Sequence, residues 1–298
     1  MKDQKPKSKR NCFIDAYRGF TMISMILYHS CYDYFIVFGR NPDFIGSRAA
    51  YLWQQSICIS FILVSGMVWP LGKKHALRRG LILILLGTAI TFVTVLFMPS
   101  ESIYYGILTF MGAATLITMI CDKGFMIFGA SLDDISSVNE PDVHTAGDPV
   151  SDTDFITAQD RKKTSGSMGK SKIPAGLVHI IICLILFALT KHLPNGYIGS
   201  RFHPLISIPK TLYRYPSLAV FGLPPADFFS ADYFPIIPWI FMYILGYHLG
   251  GLLLSNESFI KLGTRRIPFL SWLGTKSLLV YIIHQPVCFG LIWLLCHK

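Results

Sequence analysis

Charge is scarce in this chain. Asp, Glu, Lys and Arg make up 15% of its 298 residues, where soluble domains run near one quarter. A surface that meets water on every side needs more charge than that, so an ordinary soluble globular domain is excluded. Paired cysteine motifs are also missing. Cys12, Cys31, Cys58, Cys121, Cys183, Cys288 and Cys296 sit in or beside apolar segments, with no CxxC pair and no Cys/His cluster at zinc spacing. They read as buried, inert thiols, and no metal centre is expected. No P-loop, GxGxxG, GxSxG or HExxH occurs, so nucleotide hydrolysis and the common soluble hydrolase chemistries have no motif to rest on. No internal repeat is seen, which speaks against transporters built from duplicated halves. Behind the basic residues 1–10, the apolar run shows no small-residue cleavage site. A retained first span is therefore expected rather than a signal peptide.

What is present is apolar: 52% hydrophobic and 14% aromatic residues, with a mean hydropathy of +0.48. The net charge of +10 could suit nucleic acid, but the basic residues gather at the ends of long apolar runs instead of forming an aromatic-interleaved face. That is membrane topology, and no nucleic-acid partner is expected. A bilayer core needs roughly 20 apolar helical residues. Seven segments qualify, near 13–38, 51–71, 80–98, 103–121, 173–191, 234–254 and 271–296. The basic N-terminus, the loop with Lys73, Lys74, Arg78 and Arg79, and the loop with Lys261, Arg265 and Arg266 fall on one side, which the positive-inside rule makes cytoplasmic. The expectation is an all-α, polytopic transmembrane helix bundle of about seven spans with a cytoplasmic N-terminus, forming a single domain over 1–298.

Two connections stand apart. Residues 122–172 hold nine of the seventeen acidic residues and are read as a flexible acidic cytoplasmic insert that cannot bury enough apolar surface to order itself. Residues 192–233, external by this topology, are rich in Pro, Tyr and Phe. They lie in the headgroup region or line an acceptor site, and both readings stand.

Ionisable groups inside spans are costly and mark function by default. The first span carries Arg10, Asp15, Arg18, His29 and Asp33. Asp15 and Arg18 share a helix face and either lock the helix end as an ion pair or belong to a site. His29 lies about 16 Å beyond Arg18 along a helix, deep in the bilayer. Asp33, one turn further, could orient its imidazole for general-base work, although a histidine hydrogen-bonded within the bundle is the commoner case. The last span holds His284 and Gln285 just before Pro286, where the helix is expected to kink. Ser65–Gly66 in the second span allows close helix packing or the passage of a thioester arm. His179 and His248 read as interfacial. Clustered Arg at the inner mouth would suit the phosphates of a CoA-type donor.

Four patterns then resemble a superfamily of transmembrane acyltransferases that includes acyltransferase family three. They are Arg10-x4-Asp15-x2-Arg18-Gly19-x9-His29, the Phe61–Gly66 FxxxSG segment, the Arg78–Arg79 pair, and Tyr281-x2-His284-Gln285-Pro286. The phrases Ile14-Asp15-Ala16-Tyr17-Arg18-Gly19-Phe20, Tyr105-Gly106-Ile107-Leu108 and Ala231-Asp232-Tyr233-Phe234-Pro235-Ile236-Ile237-Pro238-Trp239 are most similar to the heparan-α-glucosaminide N-acetyltransferase catalytic domain family in its compact bacterial form. The resemblance covers about residues 10–120 and 174–295. It implies acetyl-CoA as the cytoplasmic donor and a sugar or glycan acceptor beyond the membrane, and it carries the base to His29. One departure stands: the heparan enzyme has Asn at the place of His29 and a His in the following loop, whereas here the next His is His75. Heparan itself is therefore not the expected acceptor.

The resulting expectation is an integral protein of a bacterial plasma membrane that moves acetyl to an amine or hydroxyl. His29, Asp33 and His284 would be catalytic. Arg10, Asp15, Arg18, Ser65, Arg78, Arg79, Gln285 and Asp232 would bind CoA or acceptor. Its partners are acetyl-CoA, the acceptor and membrane lipid, with a homodimer left open. The alternative from another class is a proton-coupled transporter of a small polar solute, in which the buried His and Asp form a relay. A non-catalytic scaffold leaves those residues unexplained.

Overall fold

The computed structural model describes residues 11–40, 43–138 and 175–296. Arg10 and most of the acidic insert lie outside the described residues. Helix α1 (Cys12–Tyr32) starts where Asn11 Oδ1 accepts from the Phe13 and Ile14 amides, each at 3.1 Å. It places Asp15 in the first turn, where a carboxylate complements the helix dipole. It passes into one π-helical turn, Asp33–Val37. After the short α2 (Asp43–Gly46), α3 (Arg48–Met67) is capped by Ser47, whose hydroxyl accepts from the Ala50 amide at 3.2 Å. A tight strap, Pro70–His75, leads into α4 (Ala76–Phe97).

Helix α5 (Ile107–Val138) and α6 (Ala175–Thr190) follow, then α7 (Ile236–Leu254), α8 (Glu257–Leu262), α9 (Pro268–Thr275) and α10 (Ser277–Cys296). Between α6 and α7 lie a two-stranded antiparallel hairpin, β1 (Tyr197–Gly199) and β2 (Pro204–Ser207), and short 3-10 turns.

Five of these segments are long and apolar enough to cross a membrane: Arg48–Met67, Pro70–Phe97, Gly176–Asn195, Ile236–Leu254 and Ser277–Cys296. With α1 and the apolar Ile107–Asp122 of α5, they make up the bundle read from the sequence. Two boundaries differ. The segment 271–296 is two helices, broken at Lys276, with α9 crossing α1. Helix α5 continues to Val138, into the residues read as the acidic insert.

In lipid, helices gain nothing from hiding apolar area from water, so close backbone contact has to hold them. The α3–α7 contact shows this: side chains at Gly66, Gly246 and Gly250 would run into the carbonyls of Tyr243, Leu63 and Met67. The α1–α9 crossing is as close, with Gly19 against Leu270 and Gly274 against Asp15. Outward faces remain apolar, as at Leu85 and Phe97.

Candidate functional site

The bundle encloses an open cavity of about 600 Å³, within the range of small-molecule sites, about 300–1,000 Å³. Asn11, Asp15 and Arg18 of α1 line it together with Ser65 of α3 and Arg79 of α4. The Arg79 guanidinium lies over Gly72 of the strap, where any side chain would displace it. At the other end the wall is apolar, formed by Ile107, Leu108 and Met111 of α5, while Ser277, Leu278 and Tyr281 of α10 close one side. Thr115 also lines it, and Tyr243 bonds both Thr115 Oγ1 (3.1 Å) and Ser65. Ser65–Gly66 therefore divides the two readings of that pair, Ser65 facing the cavity and Gly66 packing α3 on α7.

The strap is fastened from below. Lys73 forms an ion pair with buried Asp122, which also accepts the Tyr247 hydroxyl at 2.7 Å. Sequence reasoning missed Asp122 because its window averaged it with the acidic residues downstream. Arg78, by contrast, is exposed and off the cavity wall.

One turn beyond Tyr281 stands a second polar cluster. The rings of His29 and His284, 255 positions apart in the chain, meet with centroids 4.8 Å apart at 64°. His284 is buried, and its Nδ1 donates to the Tyr281 carbonyl at 2.6 Å. A carbonyl only accepts, so the neutral ring carries its proton on Nδ1 and a lone pair on Nε2. That nitrogen has no hydrogen-bond partner among the described residues. Asp33, fully buried, accepts from Gln285 Nε2 at 3.1 Å rather than reaching back to His29. Helical spacing put Asp33 and His29 on one face, but the amide across the interface was the nearer donor. Asp33 Oδ2 and Gln285 Oε1 have no hydrogen-bond partner among the described residues. Neither imidazole lines the cavity; Tyr281 lies between, its ring 5.5 Å from that of His284.

Asp232 sits at the apolar end. Its Oδ2 accepts from the Ile107 amide at 3.0 Å, satisfying an orphan donor at the start of α5. Phe234 N to Tyr105 O (2.9 Å) and Tyr104 N to Ser230 Oγ (2.9 Å) stitch the same two loops. Tyr105 adopts φ 55°, an uncommon conformation for a non-glycine residue that these bonds help to hold. Burial pushes the Asp232 carboxyl up to about 6, against the opposing pull of the Ile107 amide. Elsewhere, His179 and His248 stack face to face at 4.4 Å between α6 and α7 instead of standing separately at an interface.

Fold and site together define an integral membrane protein with a ligand-sized cavity and, beyond Tyr281, a contacting pair of imidazoles. The family model described as heparan-alpha-glucosaminide N-acetyltransferase, catalytic, matches residues 10–130 and 167–286, and the chain belongs to that family. The match extends to Pro286 and takes in both the Arg18–Arg79 cavity and the His29–His284 pair. Searches among curated proteins and among solved structures gave no match. Membership carries the class of reaction, acetyl transfer by a membrane protein.

Proposed function

We propose that the protein takes acetyl from acetyl-CoA on the cytoplasmic side and passes it to an amine or hydroxyl of a sugar acceptor on the far side. The observation that carries this reading is the contact of His29 with His284 one turn from a cavity that presents two guanidinium groups. Arg18 and Arg79 suit phosphate oxygens, which a planar guanidinium binds in bidentate fashion. Ser65 and Asn11 add neutral donors along the wall. Exposed Arg78 would meet the donor only outside the cavity.

His29, the less buried of the pair, takes the proton from the acceptor nucleophile. His284, fixed by the Tyr281 carbonyl, offers its Nε2 lone pair to receive a proton passed on from His29, so the pair holds one proton in all. The acceptor nitrogen or oxygen then bonds to the thioester carbonyl carbon. The tetrahedral intermediate collapses with cleavage of the C–S bond, and the CoA thiolate leaves with the proton that the pair has held. The engaged Nδ1–H leaves His284 suited to accepting a proton at Nε2. Asp33 positions Gln285 beside the pair. Water-poor surroundings strengthen each of these polar contacts.

The test is transfer of labelled acetyl from acetyl-CoA to a panel of amino sugars and glycans by the protein in liposomes. His29→Ala and His284→Ala should each lower kcat about 10²–10⁴-fold, the range of general-base contributions, while CoA still raises the thermal midpoint of both variants. Full transfer by the double variant would sink the assignment.

A further inference from the structure

The region between α6 and α7 carries an anomaly of charge. Lys191, Arg201, Lys210 and Arg214 occur with no Asp or Glu anywhere from 191 to 226. The proposed topology puts this segment outside, where Lys and Arg are disfavoured, so the insertion rule does not explain them. The same segment exposes large apolar side chains. Phe202 is 85% exposed, Leu205 66%, Ile206 58% and Tyr215 60%, and every residue of β2 is exposed.

Its height relative to the bundle is fixed at its base. Lys191, directly after α6, lies over the Tyr51 ring near the start of α3, 5.7 Å from its centroid, and His192 stacks on Tyr197 of β1 at 5.2 Å. The Tyr213 hydroxyl donates to the Leu193 carbonyl at 2.5 Å, folding the later turns back onto the base. A three-residue strand rises only about 10 Å, comparable to a headgroup layer of roughly 5–8 Å on each side of the bilayer core. The hairpin tip therefore cannot stand far from the lipid surface.

We propose that residues 200–217 are a lipid-docking platform, in which Phe202, Leu205, Ile206 and Tyr215 enter the bilayer interface while Arg201, Lys210 and Arg214 bind the phosphates of anionic headgroups. Cations beside exposed aliphatic and aromatic groups are the composition of interfacial segments. A second copy of the chain fits less well, because a two-fold contact would bring the same uncompensated cations face to face. A free glycan would leave Phe202, Leu205 and Ile206 uncovered. The platform requires only that the bundle lie in a bilayer, so its failure and that of the acetyl-transfer reading are separable.

The experiment places p-benzoylphenylalanine at position 202 of the full chain, held in nanodiscs of phosphatidylcholine with one-quarter phosphatidylglycerol, and identifies the photo-adducts by mass spectrometry. Phospholipid adducts are expected, with phosphatidylglycerol enriched at least about twofold over its bulk share. The triple variant R201Q/K210Q/R214Q should bring that share back to the bulk value while adducts persist. Absence of lipid adducts, adducts to a second copy of the chain, or lipid adducts in bulk proportion before the substitutions would each overturn the proposal.

Discussion

Tyr281 holds the position on which the chemistry turns. Its ring forms part of the cavity wall, its carbonyl fixes the tautomer of His284, and it separates the guanidinium-lined space from the imidazole pair. In the proposed reaction the ring stands where the thioester would reach from the cavity to the pair, and its bulk limits the water that follows. Replacing it with alanine is expected to let thioester and water react to acetate and free CoA thiol without any acceptor. Tyr281→Ala should raise acceptor-independent thiol release several-fold, and Tyr281→Phe should not. Thiol release at the native rate in the alanine variant would reduce Tyr281 to packing.

Asp232 gives a pH signature. Its folded carboxyl titrates near 6, above the ordinary 3.8, so the folded state holds that proton more tightly than the unfolded chain. Its contribution to stability is complete below about pH 4 and is lost as pH rises through about 6. Asp232→Asn keeps an acceptor for the Ile107 amide and removes the charge. The thermal midpoint of this variant relative to the native chain should therefore improve from pH 5 to pH 7, and a pH-independent difference would contradict the assignment.

Much of the candidate site was legible in the sequence because charge inside an apolar run is conspicuous, and Asp15, Arg18, His29 and His284 stood out on that ground, while Arg79 was marked by the basic cluster at the inner mouth. Asn11, Thr115 and Tyr243 did not, since neutral polar residues are ordinary in helices and their faces follow from packing. Asp33 was assigned to the wrong partner because spacing along one helix says nothing about what the neighbouring helix presents.

Among the elements, α3 and α7 meet backbone to backbone, and the glycines of α7 can be told apart. Gly250 faces the Met67 carbonyl, while a side chain at Gly251 would meet open space. Gly250→Val should cost about 1–3 kcal/mol as an overpacked contact, visible as a lower unfolding midpoint in detergent, with Gly251→Val close to native. Equal effects would remove the close-approach argument. The division between α9 and α10 was hidden because apolar character runs almost unbroken from Pro268 to Cys296, and hydropathy does not register direction. Its local sign was Gly274-Thr275-Lys276, where a small residue meets α1 and a lysine interrupts the run. The hairpin between α6 and α7 left a fainter trace, since strands of three and four residues are too short for alternation to show.

At the scale of the molecule, the all-helical membrane class followed from long unbroken apolar runs, because lipid admits only helices and closed barrels and the strands of a barrel alternate apolar with polar residues. Sidedness rests on the distribution of Lys and Arg, and it is directly measurable. An epitope inserted after Ser217 should be reached by antibody in intact cells, and one after Thr264 only after permeabilisation. The opposite pattern would invert the bundle and place the guanidinium-lined mouth away from cytoplasmic CoA.

The interlocked backbones of α3 and α7 also set how the molecule responds to temperature. Cohesion in a water-soluble core fades on cooling because it derives from the ordering of solvent around apolar groups. Contacts such as Gly66 on Tyr243 and Gly250 on Met67 are dispersion contacts in a medium with no such solvent to release. On this ground the α3–α7 seam is expected to keep its packing on chilling, where a soluble core would weaken.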